Sequence, residues 1–182
     1  MKRKFSIFLM LFGLIFLITL YSPFSSQAGE TSENEVKAAY LFNFAKFVEW
    51  PERAFASKTS PIVLCILGDD PFGEALASLE MKKIKGRSIT VSRANNKEQV
   101  KPCHMLYVSD SEKKELSDVL SKSDNKPCLT VSSIDNFASK GGMIGFVRKG
   151  KNIRFEVNLD KIKRVELSVS SRLLNLAQIV KE

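Results

Sequence analysis

Apolar positions fall into three kinds of stretch along the chain. The first is a nearly unbroken run over residues 5–21, interrupted only by Ser6, Gly13 and Thr19. The second, residues 33–50, has helical spacing, with Val36, Tyr40, Phe44, Phe47 and Val48 on one broad arc and Pro51 ending the run. Asn43 falls inside that arc, where an amide needs partners, so it is expected to tie the helix to backbone groups of a neighbouring segment. Phe42 falls on the opposite side between Lys46 and Glu49, either as a surface aromatic or as part of a contact patch.

The third kind is a series of short apolar runs. Residues 61–68 (Pro-Ile-Val-Leu-Cys-Ile-Leu-Gly) form a continuous run of strand length closed by a turn, the pattern of a strand buried on both faces. The spacing then predicts a helix over 72–79, a strand over 88–92, a short polar helix over 97–100, a strand over 104–109 and a helix over 112–120. A strand over 129–132 and a short helix over 134–138 follow. Gly141 and Gly142 open a further strand at 143–148, and the turn at Gly150 makes residues 152–157 its antiparallel partner at the sheet edge. Residues 160–164, with four charges in five positions, read as a solvated helical turn. Leu173, Leu176, Ala177 and Val180 recur at helical spacing behind Ser170 or Ser171 as N-cap, which predicts a C-terminal helix packed on the sheet. Strands separated by helices imply right-handed parallel crossovers. The expected fold is α/β: a three-layer sandwich around a mostly parallel five- to six-stranded sheet, Rossmann- or flavodoxin-like, with an antiparallel edge hairpin.

Charge sharpens the reading of the first run. Lys2, Arg3 and Lys4 precede it and the small residues of Ser26-Gln27-Ala28 follow, the layout of a secretory signal peptide cleaved after Ala28. Residues 29–182 then form a single exported domain. Of the formal charge of +8, three units belong to the leader, leaving about +5 on the domain. So mild a charge on an exported protein gives no reason to expect nucleic acid as a partner.

Export also changes what the cysteines mean, because disulfides persist outside the cytoplasm. Cys65, Cys103 and Cys128 are odd in number, so one bridge leaves one thiol. Cys65 lies in the first strand of the series, Cys103 just before the third and Cys128 just before the fourth, so Cys103 can pair with either of the others.

Catalytic motifs are missing from the sequence. There is no His-Glu-x-x-His, Gly-x-Ser-x-Gly, Cys-x-x-Cys or phosphate-binding Gly-rich loop, and the single His104 cannot complete a multi-His metal site. Asp69, Asp70, Asp110, Ser132, Ser133 and Lys149 follow strand ends in the manner of a phospho-receiver. The same residues are ordinary turn and cap chemistry, and this is the reading adopted. Neither an enzyme nor a cofactor or metal site is expected.

Several segments together resemble the YfiR-like family of periplasmic regulatory proteins. They are the opening helix from Val36 to Pro51 (Val-Lys-Ala-Ala-Tyr-Leu-Phe-Asn-Phe-Ala-Lys-Phe-Val-Glu-Trp-Pro), Leu64-Cys65-Ile66-Leu67-Gly68 with Asp70-Pro71-Phe72-Gly73, Gly86-Arg87, Cys103-His104, Gly141-Gly142-Met143-Ile144, Arg154-Phe155-Glu156-Val157-Asn158 and Ser170-Ser171-Arg172-Leu173-Leu174. The resemblance implies a non-enzymatic repressor of an inner-membrane signalling protein, such as a diguanylate cyclase or another receptor. It also implies an outer-membrane lipoprotein and a homodimer as further partners. It favours Cys65 with Cys103 as the disulfide, a bridge closing about 38 residues and worth about 3–4 kcal/mol in the chain-entropy account.

Two function classes follow. One is an interaction module whose surface lies near the first and last helices, with Phe42, Arg154 and Arg172 as candidate contacts. The other is a small-molecule-binding domain, with Arg87, Arg148 and Arg154 meeting an anionic ligand at the carboxyl ends of the strands.

Overall fold

The apolar runs become strands whose alternate side chains serve two separate cores. The structure is a computed structural model and describes residues 31–181; the expected signal peptide lies outside the described residues. Helix α1 (Thr31–Phe47) leads into β1 (Val48–Glu49), then come β2 (Ile62–Leu67), the one-turn helix α2 (Ala77–Glu80), β3 (Lys83–Ile84) and β4 (Arg87–Ala94). They are followed by β5 (Met105–Val108), α3 (Leu116–Ser123), β6 (Leu129–Ser132), β7 (Ile144–Lys149), β8 (Asn152–Asn158), α4 (Leu159–Arg164), β9 (Ser168–Val169), α5 (Ser171–Leu174) and β10 (Gln178–Val180).

The main sheet has eight strands rather than the expected five to six, because β3 and β10 each extend an edge, in the order β10-β8-β7-β6-β5-β2-β4-β3, with β4, β2, β5, β6 and β7 parallel to one another. Leu64 and Ile66 of β2, with Met105, Tyr107, Leu129 and Val131, face a core closed by α1 and α2. Cys65 and Leu67, with Leu106 and Val108, face a second core closed by Leu116, Val119 and Leu120 of α3. Burial on both faces explains the unbroken apolar runs.

Three further expectations are corrected. First, α1 stops at Phe47, before Pro51, because Val48 and Glu49 pair antiparallel with Val169 and Ser168. Its buried face is Ala38, Leu41, Phe44 and Ala45, whereas Val36 is 41% exposed. Apolar residues lie nearly all round this helix, so spacing alone does not select the face. Asn43 is half-buried, and among the described residues its amide makes no hydrogen bond, so it does not anchor the helix.

Second, the C-terminal run is not a helix. After the single turn of α5, capped by the Ser170 hydroxyl, the chain extends as β10 parallel to β8. Leu173 is buried but Leu176 is 59% exposed. β8 therefore pairs antiparallel with β7 as expected, yet it is not the edge strand. Its outward N–H and C=O groups need partners, and β-branched Ile179 and Val180 suit a strand. Third, residues 97–100 form a turn, because Asn96 Oδ1 accepts from the Gln99 N–H at 3.1 Å and Gln99 Oε1 from the Asn95 N–H at 3.2 Å, local bonds that compete with a helix.

His104 braces the amino ends of the central strands. Its Nδ1 accepts from the Val63 N–H at 3.0 Å, which leaves the proton on Nε2, and this donates to the Ala54 carbonyl at 3.1 Å. The Trp50 indole donates to the His104 carbonyl at 2.9 Å, and the Phe55 ring stacks on the imidazole with centroids 4.4 Å apart. Burial holds its pKa below the ordinary 6.5, against the pull of the Ala54 carbonyl. The unfolded chain therefore takes up this proton before the folded one does, so stability is expected to fall as pH drops from about 7 through 6.5 toward the lowered folded value. The chain has a single His, and carboxylates titrate mostly below about pH 5. Denaturation of the His104→Gln variant between pH 5 and 7 should lose most of that slope; an unchanged slope would refute the assignment.

Candidate functional site

Two loops and one helix face build a groove on the α1 side of the molecule. The β3–β4 hairpin turns through Lys85 and Gly86, both with positive φ (50° and 84°), the geometry of a two-residue turn whose twist matches the strands. This sets Lys83 and Lys85 against the end of α1. From the other side, the β1–β9 pairing and the Ser170 N–H bond to the Phe47 carbonyl at 3.0 Å bring Ser170, Ser171 and Arg172 back to the same helix. Ser170 then caps α5, its hydroxyl accepting from the Leu173 N–H at 3.4 Å, and so fixes the turn that carries Arg172.

The resulting groove has a volume of about 500 Å³. Half-buried Phe42 and Phe47 give it an apolar wall, and exposed Lys46, Lys83, Lys85 and Arg172 surround them. The single carboxylate in the lining, Glu49, is held by Lys85 at 2.8 Å, and the hydrogen bond and charge of that lysine push its pKa down. Lys82 lies 4.9 Å from the Phe42 ring centre and Lys46 5.4 Å from the Phe47 ring centre. The lining holds hydroxyls, ammonium groups, one guanidinium and two aromatic rings, a set whose chemistry suits contact with an acidic, partly apolar surface.

The family described as YfiR/HmsC-like matches residues 34–178, which takes in every element from α1 to the start of β10. The chain belongs to the YfiR/HmsC-like family. Within this YfiR/HmsC-like domain, Phe42 and Arg172 from opposite ends of the sequence meet in one groove. The hairpin that supplies Lys83 and Lys85 escaped the hydrophobic pattern because its first strand is only two residues long, Lys83 and Ile84. Its legible signal was the Lys85-Gly86 pair.

The other candidate residues of the YfiR/HmsC-like chain do not converge. Arg87 is a structural clamp: it donates to the Ser57 and Ser60 carbonyls at 2.9 and 2.7 Å and lies 3.7 Å above the Phe55 ring. Arg148 pairs with Glu33 of α1. Arg154 is exposed on β8, and the register Val147↔Arg154, Arg148↔Ile153 places the two arginines on opposite faces. Three arginines around one anion at the strand ends are therefore not present. Asp70 does turn chemistry as expected, accepting from the Phe72 N–H at 2.8 Å, and its other oxygen binds Arg93 at 2.7 Å.

All three cysteines are free thiols, so the Cys65–Cys103 bridge is not formed in this structure. Cys103 Sγ faces Cys128 Sγ at 3.7 Å, while Cys65 Sγ lies 3.7 Å from the Lys101 carbonyl. Mutual hydrogen bonding and burial push the Cys65 and Cys103 thiols up, Cys65 chiefly through Cys103 and Cys103 chiefly through Cys128.

Proposed function

We propose that this protein is a non-enzymatic periplasmic regulator that binds and represses an inner-membrane signalling protein, with a diguanylate cyclase as the partner class to test first. Membership of the YfiR/HmsC-like family over residues 34–178 carries the reading. The leader-like first 28 residues support export, and no helix among the described residues is long and apolar enough to cross a membrane. The strand order β4-β2-β5-β6-β7, second-first-third-fourth-fifth in sequence, supports a flavodoxin-like arrangement. In this proposal the groove around Phe42 and Arg172 meets an acidic, partly apolar surface of the partner, and Cys65 with Cys103 is the disulfide formed after export.

Deleting the gene should raise cellular cyclic-di-GMP several-fold, and the wild-type gene should restore it. The Lys46→Glu/Arg172→Glu variant changes two exposed groove residues and should keep its melting temperature while failing to restore repression. Unchanged cyclic-di-GMP in the deletion strain would sink the cyclase reading, and full repression by a folded groove variant would sink the groove.

A further inference from the structure

A second cavity, about 420 Å³ in volume, opens on the sheet face opposite α1 and shares no lining residue with the groove. It exists because the β4–β5 connection is a turn without a helix, so this part of the sheet is roofed only by the connecting loop and the flank of α3. Leu67, Leu106 and Val119 lie beneath it, nearly fully buried, and half-buried Val100 and Pro127 with exposed Pro102 give it its accessible apolar surface. A floor of this kind suits an apolar body rather than a hydrated ion.

The rim is cationic and contains no Asp or Glu. Three of its cations are already neutralised from outside: Lys97 by Glu115 and Asp118 at 2.9 and 2.7 Å, Lys122 by Glu98 at 3.0 Å, and Arg53 by Glu166 at 2.7 Å. Lys101 and Lys126 are exposed and, among the described residues, have no ion-pair partner. The lining therefore offers two uncompensated ammonium groups beside an apolar slot.

We infer that this cavity is a binding site for a small amphiphilic anion, an aromatic or branched aliphatic carboxylate whose apolar body lies over Val100, Pro102 and Pro127, above the methyls of Leu106 and Val119, and whose charge is met by Lys101 and Lys126. The volume accommodates a one- or two-ring acid. A purely inorganic anion would leave the valine and proline surface without a partner. A neutral ring would leave the ammonium groups without one.

Three probes test this on the exported protein kept under reductant, so that its thiols match the structure. Naphthalene-2-carboxylate supplies ring and charge, 2-naphthylmethanol the ring alone, and inorganic phosphate the charge alone. Methyl NMR titration should show saturable shifts at Leu106 and Val119 with the carboxylate, with binding at least tenfold weaker for the alcohol and for phosphate. Lys101→Glu/Lys126→Glu, a change at two exposed positions, should weaken carboxylate binding at least tenfold, whereas Lys151→Glu in the β7–β8 turn should not. Unmoved Leu106 and Val119 methyls, equal affinity for the neutral alcohol, or unchanged affinity in the double variant would each overturn the inference. None of these outcomes depends on whether the protein represses a cyclase.

Discussion

Replacing Phe44 by Ala should lower the unfolding free energy by about 3–5 kcal/mol, the range for deleting a fully buried aromatic. The ring is 0% exposed. It stacks on Phe146 with centroids 5.7 Å apart and meets Phe155 edge-on at 5.1 Å, with Tyr40 of the same helix at 5.9 Å. Phe146 and Phe155 are opposite each other across the β7–β8 ladder, so one side chain of α1 fastens the helix to the hairpin. Its removal takes away both transferred area and ring–ring contact, and the close-packed neighbours collapse only partly into the space. Urea denaturation reads the loss directly as a lower midpoint at unchanged slope. Val36→Ala is the control, because Val36 is 41% exposed and its truncation should cost no more than about 0.5 kcal/mol. Equal effects from the two variants would contradict the assigned helix face.

Asn158→Ala should be nearly as damaging, at about 2–4 kcal/mol. The side chain is 0% exposed and both its polar atoms are bonded: Oδ1 accepts from the Lys161 N–H at 3.0 Å as the N-cap of α4, and Nδ2 donates to the Ala138 carbonyl at 3.0 Å. Loss of the cap accounts for about 1 kcal/mol. The buried Ala138 carbonyl left without its donor accounts for about 1–3 kcal/mol more. Asn158→Asp separates the two roles. It keeps an acceptor for the cap but aims a buried carboxylate oxygen at a carbonyl, so at pH 7 it should be no more stable than the Ala variant. Recovery of wild-type stability by Asp would show that the cap alone matters.

These two residues also mark what could be read from sequence. The parallel strands were legible because residues such as Ile62–Leu67 and Met105–Val108 are apolar on both faces, a pattern few alternatives share. The orientation of α1 was not, since apolar residues on all sides leave the choice of face to the shape of the sheet beneath, and Phe44 was placed correctly while Val36 was not. β10 was hidden for a different reason. Its residues fit helical spacing equally well, and only the open edge of β8, a fact of three dimensions, selects the strand. In the candidate groove, Phe42 was visible as an aromatic beside charges and Arg172 as a cation near the last helix. Their meeting depends on β1 pairing with β9, two residues on each side, too short for any local pattern to announce.

That short ladder has a consequence for the order of events after synthesis. The groove takes one wall from the first described helix and the other from residues 170–172. On the proposed route of export, a chain threading outward from its amino end displays Phe42 long before Arg172 arrives, and the complete groove exists only after the late segment has returned to α1. A partner that needs both walls is blind to nascent and truncated chains and responds only to a copy whose folding has finished.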